Sequence, residues 1–597
     1  MWSDLDLGIS HMALWTESAA PVPPVPADEF CNSEALDTIS NNPNLFKIVT
    51  PINVSHFKEL LADHPHQLFV NSVIHGLTFG FWPYAHTHYG SYPTTHDDSG
   101  SPPKTVQQAD FLRKQIQTEF EANRYSPPFG PELLPGMYST PILAVPKRPD
   151  SDKLCLCNHQ SYGEFSLNSM IKREDIAGVT LDGIRELGES LRLFRRQHGN
   201  VQLVVFKSDM KAAYRQMPLH FLWQIKQIIT FENHRHVDHS ACFGNRGSQI
   251  IFMAFMGLVT WIAIYVRSIA HLKDYVDDAF SFEREGELTF YSPHDTFYPT
   301  KQTRLLRLWD ELGIPHDKEK QEFGLVLRII GFEVDPNTMT VSMDIDAQKD
   351  LIDIIRVFAV AGKKRTLKEF QRIAGHVNWA LNVFPLLRPG LSAVYSKTAG
   401  KEHDLATLRV SAAVVSELMW VARRVEFSSG VHMLKSVEWD PRHAESHALS
   451  IFTDASAHGL AIYIPSFKLA FQCPLPILPS EKHIFFFEAL AVCSAFHSSA
   501  SLIESSHRLV IYSDNTNTVD IFNSLHASAP YNQLLISAMN VVLDHNIDFW
   551  VLHVRGIDNP IADAISRFKN DLAVSLCSGL VIWSFDPPRD ALGAASK

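Results

Sequence analysis

The sequence predicts an α+β protein with several domains. Its 597 residues are enough for several domains, because an average domain has roughly 150 residues. Since 45% of the residues are hydrophobic, these domains can bury sizeable cores. Short β-branched apolar runs alternate with stretches whose apolar residues recur at helical spacing, so both strands and helices are expected. Acidic residues end several of these runs in two separate regions of the chain. These two regions carry the functional prediction.

The first acidic region contains a Tyr-Val-Asp-Asp quartet at 275–278 with apolar residues on both sides, a pattern typical of a hairpin. Its adjacent carboxylates, Asp277 and Asp278, repel each other, and a divalent cation such as Mg²⁺ is the usual way to keep both ionised. Upstream, the apolar run 201–206 predicts a buried strand, which Asp209 follows. We expect the three carboxylates to face one another and to hold two metal ions.

These motifs resemble those of reverse transcriptases. Asp209 matches the first catalytic motif of that family, and the quartet containing Asp277 and Asp278 matches the third. The resemblance implies a right-hand polymerase fold of fingers, palm and thumb that uses two Mg²⁺ ions, with Mn²⁺ as the alternative. One ion would activate the 3′-hydroxyl of a primer, and the other would neutralise the triphosphate and the leaving oxygen.

A glycine turn between these motifs extends the resemblance. Gly244, Gly247 and Ser248 match the family pattern, while Gln249 replaces the usual proline at the start of a helix. The family role of this turn is to let the backbone approach the template–primer. We therefore include these three matching residues among the substrate-binding candidates.

Single residues elsewhere match family roles. Tyr214, five residues after Asp209, matches the aromatic steric gate that excludes a 2′-hydroxyl in this family. The alternative interpretation is an ordinary aromatic residue of the core. Lys320, preferred to Lys318, matches the lysine that assists protonation of the pyrophosphate leaving group. An ordinary surface lysine is the alternative reading of that position.

The fingers region resembles the family in part. Lys147, Arg148 and Lys153 are the candidates for triphosphate contacts. The family usually has an arginine near Cys155 and an acid near His159. An arginine would bind phosphate through two parallel hydrogen bonds, which cysteine cannot do. Either the three basic residues compensate for the arginine, or this copy has decayed.

The second acidic region resembles the ribonuclease H tetrad. Asp454 and Asp514 lie at the ends of predicted strands, whereas Glu488 and Asp563 lie on predicted helices. The resemblance implies an α/β ribonuclease H-like domain in which two metal ions activate water to cleave the RNA of an RNA–DNA hybrid. His553, ten residues before Asp563, matches a flexible histidine that helps the product leave.

Six segments follow from these anchors, and the two resemblances together cover about 430 residues. The segments are a flexible leader at 1–50, an N-terminal extension at 51–134, reverse transcriptase fingers and palm at 135–340, a helical thumb or connection at 341–445, the ribonuclease H-like domain at 446–570, and a tail at 571–597. The order of the two catalytic regions and the segment 367–379 are similar to the tyrosine-recombinase (DIRS-like) retroelement class. Integration would then need a separate recombinase or integrase.

Two helices can be placed from their capping residues. Thr105 with Gln108 has the spacing of a capping box, and Thr180 is expected to cap a helix that begins at Leu181. Their expected buried faces are Phe111, Leu112, Ile116 and Phe120 for the first helix, and Ile184, Leu187, Leu191 and Phe194 for the second.

Composition limits the class of protein. The net charge of −12 argues against nucleic-acid binding through bulk charge and favours local basic stripes, such as Arg192, Arg195 and Arg196 on one helix. Seven irregularly spaced cysteines and a start without signal-peptide features predict an intracellular protein of the cytoplasm, the nucleus or both, which is not secreted. The apolar stretch 250–266 could span a bilayer by length, but its context favours a buried helix and no membrane partner.

Two further segments, 155–159 and 234–242, contain histidine and cysteine and invite a zinc assignment. Neither has a second ligand pair at the spacing of a structural site, so we favour strand or loop.

Together these observations predict an RNA-directed DNA polymerase with associated ribonuclease H activity, from a retrotransposon. The expected partners are an RNA template, a DNA primer, an RNA–DNA hybrid and dNTPs. The alternative is a catalytically decayed or host-adopted nucleic-acid-binding relic that keeps the fold. The intact carboxylates oppose this alternative, whereas Cys155, His159 and Gln249 favour it.

Overall fold

The computed structural model describes residues 10–88, 90–100, 103–146, 153–428, 431–433, 439, 448–477, 483–503 and 508–592. These residues form two compact units, an N-terminal unit of residues 10–330 and 334–338 and a C-terminal unit of residues 331–333 and 339–592. Each unit contains both helices and strands around its own sheet. The predicted α+β multidomain fold class is confirmed.

The N-terminal unit is mainly helical before residue 130 and mixed after it. Its α-helices are α1 (His11–Thr16), α2 (Ser33–Asn41), α3 (Val54–Leu60), α4 (Gln67–Phe79), α5 (Val106–Glu121), α6 (Ile184–His198), α7 (Phe221–Gln224), α8 (Ser248–Trp261) and α9 (Thr300–Leu312). Its strands are β1 (His96–Asp97), β2 (Tyr138–Thr140), β3 (Ile142–Pro146), β4 (Leu154–Asn158), β5 (Leu203–Met210), β6 (Ile228–Phe231), β7 (His234–Val237), β8 (Lys273–Tyr275), β9 (Asp278–Arg284), β10 (Leu288–Tyr291), β11 (Thr296–Pro299), β12 (His316–Gly324) and β13 (Leu327–Ile329).

A four-stranded antiparallel sheet, in the order β12-β5-β9-β8, organises this unit. The first four residues of β5 are all buried, which explains the unbroken apolar run at its start. The strand begins at Leu203 and continues to Met210, so Asp209 lies within it. Helix α8 is almost entirely buried and continues into a π-helical turn at Ile262–Val266. The span Ser248–Val266 is long and apolar enough to cross a membrane, yet 78% of its most apolar window is buried in the protein, as the buried-helix prediction required.

The segment expected to be a flexible leader is packed over its described part. Met12 and Ala13 of α1 are buried, and Ser10 Oγ donates to Asp182 Oδ2 at 2.5 Å. Helix α1 approaches α8 so closely at Gly257 that a Cβ there would lie 2.7 Å from a methyl carbon of Thr16. The proline run at 21–26 suggests flexibility, and α1 is too short to show helical periodicity, so no local pattern predicts that α1 packs on α8.

The two capping predictions had different outcomes. Thr105 caps α5 as predicted, since its side chain accepts from the backbone N–H of Gln108 at 3.2 Å. The cap predicted at Thr180 is wrong: α6 is capped by Gly183, whose N–H donates to Glu186 Oε2 at 2.7 Å. The face predicted for α6 is buried as expected.

Two other sequence-based expectations have opposite outcomes: the basic stripe is not exposed, and the strand or loop expectation for 234–242 agrees with the structure. Arg192 is buried, and Arg195 donates to Pro336 O at 2.8 Å, so these residues do not form an exposed basic stripe. In the segment 234–242, both ring nitrogens of His239 bond backbone carbonyl oxygens, which fits the strand or loop reading better than a zinc ligand.

The C-terminal unit combines a helical region with a mixed sheet. Its α-helices are α10 (Ile345–Phe358), α11 (Leu367–Ala380), α12 (Ser392–Thr398), α13 (Ala412–Phe427), α14 (Ile484–Ser499), α15 (Thr516–Ser524), α16 (Tyr531–Asp544), α17 (Pro560–Ser566) and α18 (Asn570–Leu576). The strands from the unit boundary onward are β14 (Phe332–Asp335), β15 (Thr340–Met343), β16 (Lys364–Thr366), β17 (Thr407–Arg409), β18 (Val431–Met433), β19 (Leu449–Ala455), β20 (Gly459–Ile464), β21 (Leu469–Pro474), β22 (Arg508–Ser513), β23 (Asp548–His553) and β24 (Val581–Ser584).

The main sheet has the order β23-β22-β19-β20-β21-β24. Strands β19, β20 and β21 run antiparallel, while β22 and β23 run parallel to β19. Helices α17 and α18 pack on Ala461, Tyr463 and Ala470, and α14 packs on β19 and β20. This mixed sheet with helices is the α/β domain that the sequence predicts.

Segment boundaries in this unit differ from the sequence-based outline. The expected tail contains β24, which pairs in parallel with β21 through Leu469 and Val581, so the sheet extends beyond residue 570. The helical region before the sheet belongs to the same compact unit: Asn532 Nδ2 donates to Glu417 Oε1 at 2.8 Å and to Pro389 O at 2.9 Å. All seven cysteines are free thiols.

Candidate active sites

The first site lies at one edge of the β12-β5-β9-β8 sheet. Asp209 on β5 pairs directly with Asp278, the first residue of β9. Tyr275 pairs with Asp278 across the β8–β9 hairpin, so Val276 and Asp277 form its two-residue turn. Val276 has φ +63°, which is rare for a β-branched residue and costs roughly 1–3 kcal/mol. Its packing against the core holds this strained turn and with it the acids.

The three carboxylates at this edge repel one another. Burial raises the pKa of Asp278 to about 6; Lys207 opposes this shift, and the negative charges of Asp277 and Asp209 add to it. Burial and then Asp209 likewise raise the pKa of Asp277. Asp209 Oδ1 is buried and has no hydrogen-bond partner. An unsatisfied carboxylate oxygen beside two carboxyls with raised pKa values fits a site for a divalent cation.

Lys320 on β12 contacts this edge directly. Its Nζ lies 2.9 Å from Asp209 Oδ2 and donates to Met210 O at 3.1 Å. Lys318 Nζ donates instead to His294 O at 2.6 Å. The pairing of β12 with β5 shifts register between His316 and Gln321, the segment that contains both lysines. Of the two candidate lysines, Lys320 is the one that contacts a carboxylate of the site.

Tyr214 lies in the short 3₁₀ turn Ala213–Gln216, which follows β5. Its ring centroid is 4.7 Å from that of Phe243 and 5.3 Å from that of Phe252. Burial, followed by the charge of Asp277, raises the pKa of Tyr214 to about 12. The ring is therefore half-buried within electrostatic reach of the hairpin acids.

The glycine turn has a structural cause that the sequence did not reveal. Gly244 has φ +122°, and a Cβ there would lie 1.9 Å from Asn158 O. A Cβ at Gly247 would lie 2.5 Å from Pro83 O. Close approach of the protein's own backbone thus requires both glycines, and Ser248 then begins α8 with a buried hydroxyl that has no hydrogen-bond partner.

The fingers candidates are only partly described. Lys147 and Arg148 lie outside the described residues. Lys153 is exposed and directly precedes β4, which pairs with β3. Cys155 on β4 lines a cavity of about 420 Å³, and its Sγ contacts Val145 O at 3.4 Å.

The second site lies on the main sheet of the C-terminal unit. Asp454 is on β19, Asp514 directly follows β22, and Glu488 projects from α14. One ligand atom from each lies within 4.8 Å of the other two. Among the described residues, this is the one group of three or more histidine, cysteine or acidic side chains that meets this distance. The structure therefore brings three predicted acids from separate elements into one cluster.

Burial and mutual repulsion perturb this cluster strongly. Burial, with added repulsion from Asp454 and Asp514, raises the pKa of Glu488 to about 9. Burial is also the largest cause that raises the pKa of Asp454 to about 6, with repulsion from Asp514 and Asp563 added. Asp454 Oδ2 and Glu488 Oε2 are buried without hydrogen-bond partners. These oxygens and raised pKa values fit a divalent cation.

The remaining two predicted residues lie at the margin of the cluster. Asp563 on α17 is 43% exposed, and its Oδ1 lies 2.7 Å from Arg567 Nε. It is outside the group of three but close enough to affect the pKa of Asp454. His553 ends β23 as an exposed residue and pairs with Ser513, the residue before Asp514.

Comparison with known proteins gives structural neighbours only. No protein-family model matches the chain, and no curated protein matches it. The foamy viral protease-reverse transcriptase dRH in complex with double-stranded DNA aligns over 86% of this chain and 85% of that chain, with 15% identity and a TM-score of 0.41. The foamy viral protease-reverse transcriptase with RNA/DNA hybrid aligns over 86% and 65%, with 14% identity and a TM-score of 0.38. The same protein with double-stranded DNA aligns over 85% and 99%, with 13% identity and a TM-score of 0.40. Because the identities and TM-scores are this low, the neighbours carry no functional argument, and any functional proposal rests on the residues of the chain itself.

Proposed function

We propose that the chain is an RNA-directed DNA polymerase with an associated RNA–DNA hybrid ribonuclease. The observation that carries the proposal is the presence of one carboxylate cluster in each unit, at the positions that the two sequence resemblances indicate. The cluster of the N-terminal unit is partly buried, and two of the three acids of the C-terminal cluster are buried. In both clusters, burial and mutual repulsion raise carboxyl pKa values and leave buried oxygens unsatisfied. Such clusters cost stability unless a ligand uses them.

The proposed ligand in both clusters is Mg²⁺, two ions in each, with Mn²⁺ as the alternative. Asp209, Asp277 and Asp278 would hold the ions of the polymerase. The ions of the nuclease would be held by Asp454, Glu488, Asp514 and Asp563. When bound, such ions polarise a hydroxyl or water and neutralise the charge that develops on phosphate oxygens.

In the polymerase, Lys320 would perform two roles. In the described contacts its ammonium group neutralises Asp209, which limits repulsion among the three acids. The same group can donate a proton toward a pyrophosphate leaving group, which is general-acid catalysis. Tyr214 would close the space next to the sugar of the incoming dNTP and so exclude a 2′-hydroxyl.

In the nuclease, His553 is exposed and Asp563 is partly exposed, whereas Glu488 is buried. His553 would assist release of the cleaved RNA. The Asp563 carboxylate would have to leave Arg567 to complete the acidic set.

The proposed substrates are an RNA template, a DNA primer, dNTPs and the resulting hybrid. We place the protein in a retrotransposon of DIRS-like type, inside the cell, with integration performed by a separate recombinase or integrase. The free state of all seven cysteines agrees with a reducing compartment.

The decisive experiment is primer extension by the purified protein on an RNA template with Mg²⁺ and dNTPs, with hybrid cleavage measured in parallel. Asp277→Asn should abolish extension and leave cleavage intact, while Glu488→Gln should do the reverse. Each variant is thus the folding control for the other. If the wild type performs neither reaction but binds hybrid, the chain is a nucleic-acid-binding relic, the alternative that Cys155 favours.

A further inference from the structure

Arg215, directly after Tyr214, carries a buried guanidinium group. Its Nη1 lies 2.9 and 3.0 Å from the two carboxylate oxygens of Asp238, and its Nε and Nη2 donate to Glu119 Oε2 at 3.0 and 2.8 Å. Glu119 also accepts from Arg124 Nε at 2.7 Å. Burial alone would raise the pKa of Glu119, but the two guanidinium groups bring it to about 2. Two cations therefore balance two anions in a buried network.

The same guanidinium also bonds the loop that leads to Phe243. Arg215 Nη1 donates to the backbone carbonyls of Ser240 at 3.2 Å and Ala241 at 3.1 Å. Phe243 follows two residues later, and its ring is the one that lies 4.7 Å from Tyr214. Arg215 is therefore linked to both rings. It follows Tyr214 in the chain, and it bonds two carbonyls of the loop that leads to Phe243.

The geometry of these bonds requires the guanidinium fork. Nε and Nη2 serve Glu119, while the two N–H groups of Nη1 are shared among Asp238 and the two carbonyls. An ammonium group is instead a compact point charge with three donors. A lysine at position 215 would keep the charge and lose part of this set of bonds.

Phe243, one ring of the pair, borders a cavity. The cavity of about 420 Å³ is lined by Phe243, Ala212 and Arg215, and on the side of the fingers strand by Cys155 and Leu156. Its volume is within the usual range for small-molecule sites. Phe243 is 52% exposed, so its position depends on the loop behind it rather than on enclosure by a core.

We propose that Arg215 is a positioning residue for sugar selection: its fork fixes the separation of Tyr214 and Phe243, and that separation decides whether a 2′-hydroxyl is admitted. The inference rests on the proposed polymerase function. Arg215 acts through the two rings and the loop, and the buried acids Glu119 and Asp238 hold it in place.

The test is single-nucleotide insertion opposite a template uridine, with dATP and ATP compared in separate steady-state titrations. Arg215→Lys should lower the dATP/ATP ratio of kcat/KM about tenfold, which is smaller than the roughly hundredfold effect that a displacement of about 1 Å at a reacting site can have. Arg124→Lys is the matched control, because Arg124 shares Glu119 but, in the described contacts, its side chain does not bond the 240–241 loop. The control should keep the wild-type ratio.

Phe243→Ala provides an independent variant at an exposed position, and thermal melting identifies any variant that fails to fold. If Arg215→Lys is unfolded, Phe243→Ala decides: a lowered ratio supports the inference, and an unchanged ratio overturns it. An equal loss of both insertions in folded Arg215→Lys shows a purely structural role and also overturns it. Failure of the wild type to insert dATP is a separate outcome, which removes the proposed polymerase function itself.

Discussion

Glu488→Gln should stabilise the metal-free C-terminal unit at neutral and alkaline pH. The Glu488 carboxyl is buried between Asp454 and Asp514, and its pKa is raised from 4.5 to about 9. Below the unfolded-state pKa both states hold the proton, so the group has no effect on stability. As pH rises above that value, the unfolded chain releases the proton while the folded unit retains it, and the free energy of unfolding falls.

The size of this effect follows from linkage. Between the two pKa values, one proton difference lowers the free energy of unfolding by about 1.4 kcal/mol per pH unit. We choose the interval from about pH 6.5 to about pH 8.5, because the pKa of Asp454 is about 6 and most of that group has lost its proton by the lower end of this interval. Over these two pH units, Glu488 should therefore lower the free energy of unfolding of the wild type by about 2.5 kcal/mol. The glutamine variant should not show this decrease.

The assay is urea unfolding in EDTA, followed by tryptophan fluorescence, at both ends of this interval. Asp520→Asn is the matched control because it removes an exposed carboxylate of the same unit. It should keep the pH dependence of the wild type. Added Mg²⁺ should stabilise the wild type more than Glu488→Gln, since binding to the folded state alone raises stability. An identical pH dependence in wild type and Glu488→Gln would refute the reasoning.

Three further predictions concern the N-terminal unit. Gly244→Ala should abolish primer extension and leave hybrid cleavage unchanged, because its Cβ would overlap a backbone carbonyl and its φ of +122° is strained for alanine; comparable extension by the variant would contradict this. Asp182→Asn should lower the stability of the unit by about 1–3 kcal/mol in urea unfolding, since the carboxylate accepts from Ser10 Oγ and from two backbone N–H groups. Lys320→Met should slow extension about a hundredfold in pre-steady-state assays, whereas Lys318→Met should not; equal losses would remove Lys320 from the leaving-group role.

Local patterns were sufficient for part of the fold. The run at 201–206 predicted the start of β5, and the apolar stretch 250–266 predicted a buried helix, because continuous burial leaves a continuous apolar sequence. Thr105 was placed correctly as a cap since its partner lies three residues away. The cap predicted at Thr180 was wrong by three residues, because Gly183 and Glu186 form the cap while Asp182 bonds Ser10 and His11 from a distant segment.

The sequence by itself determined the identity and order of the seven acids, the two candidate lysines at 318 and 320 and the glycines of the turn, because each lies in a short motif whose spacing is local. Tertiary structure alone decided that Glu488 meets Asp454 and Asp514, that Lys320 rather than Lys318 contacts Asp209, and that Arg215 joins the loops around Tyr214. These contacts join residues many positions apart, so they depend on how strands and helices pack, and neither residue type nor spacing encodes them.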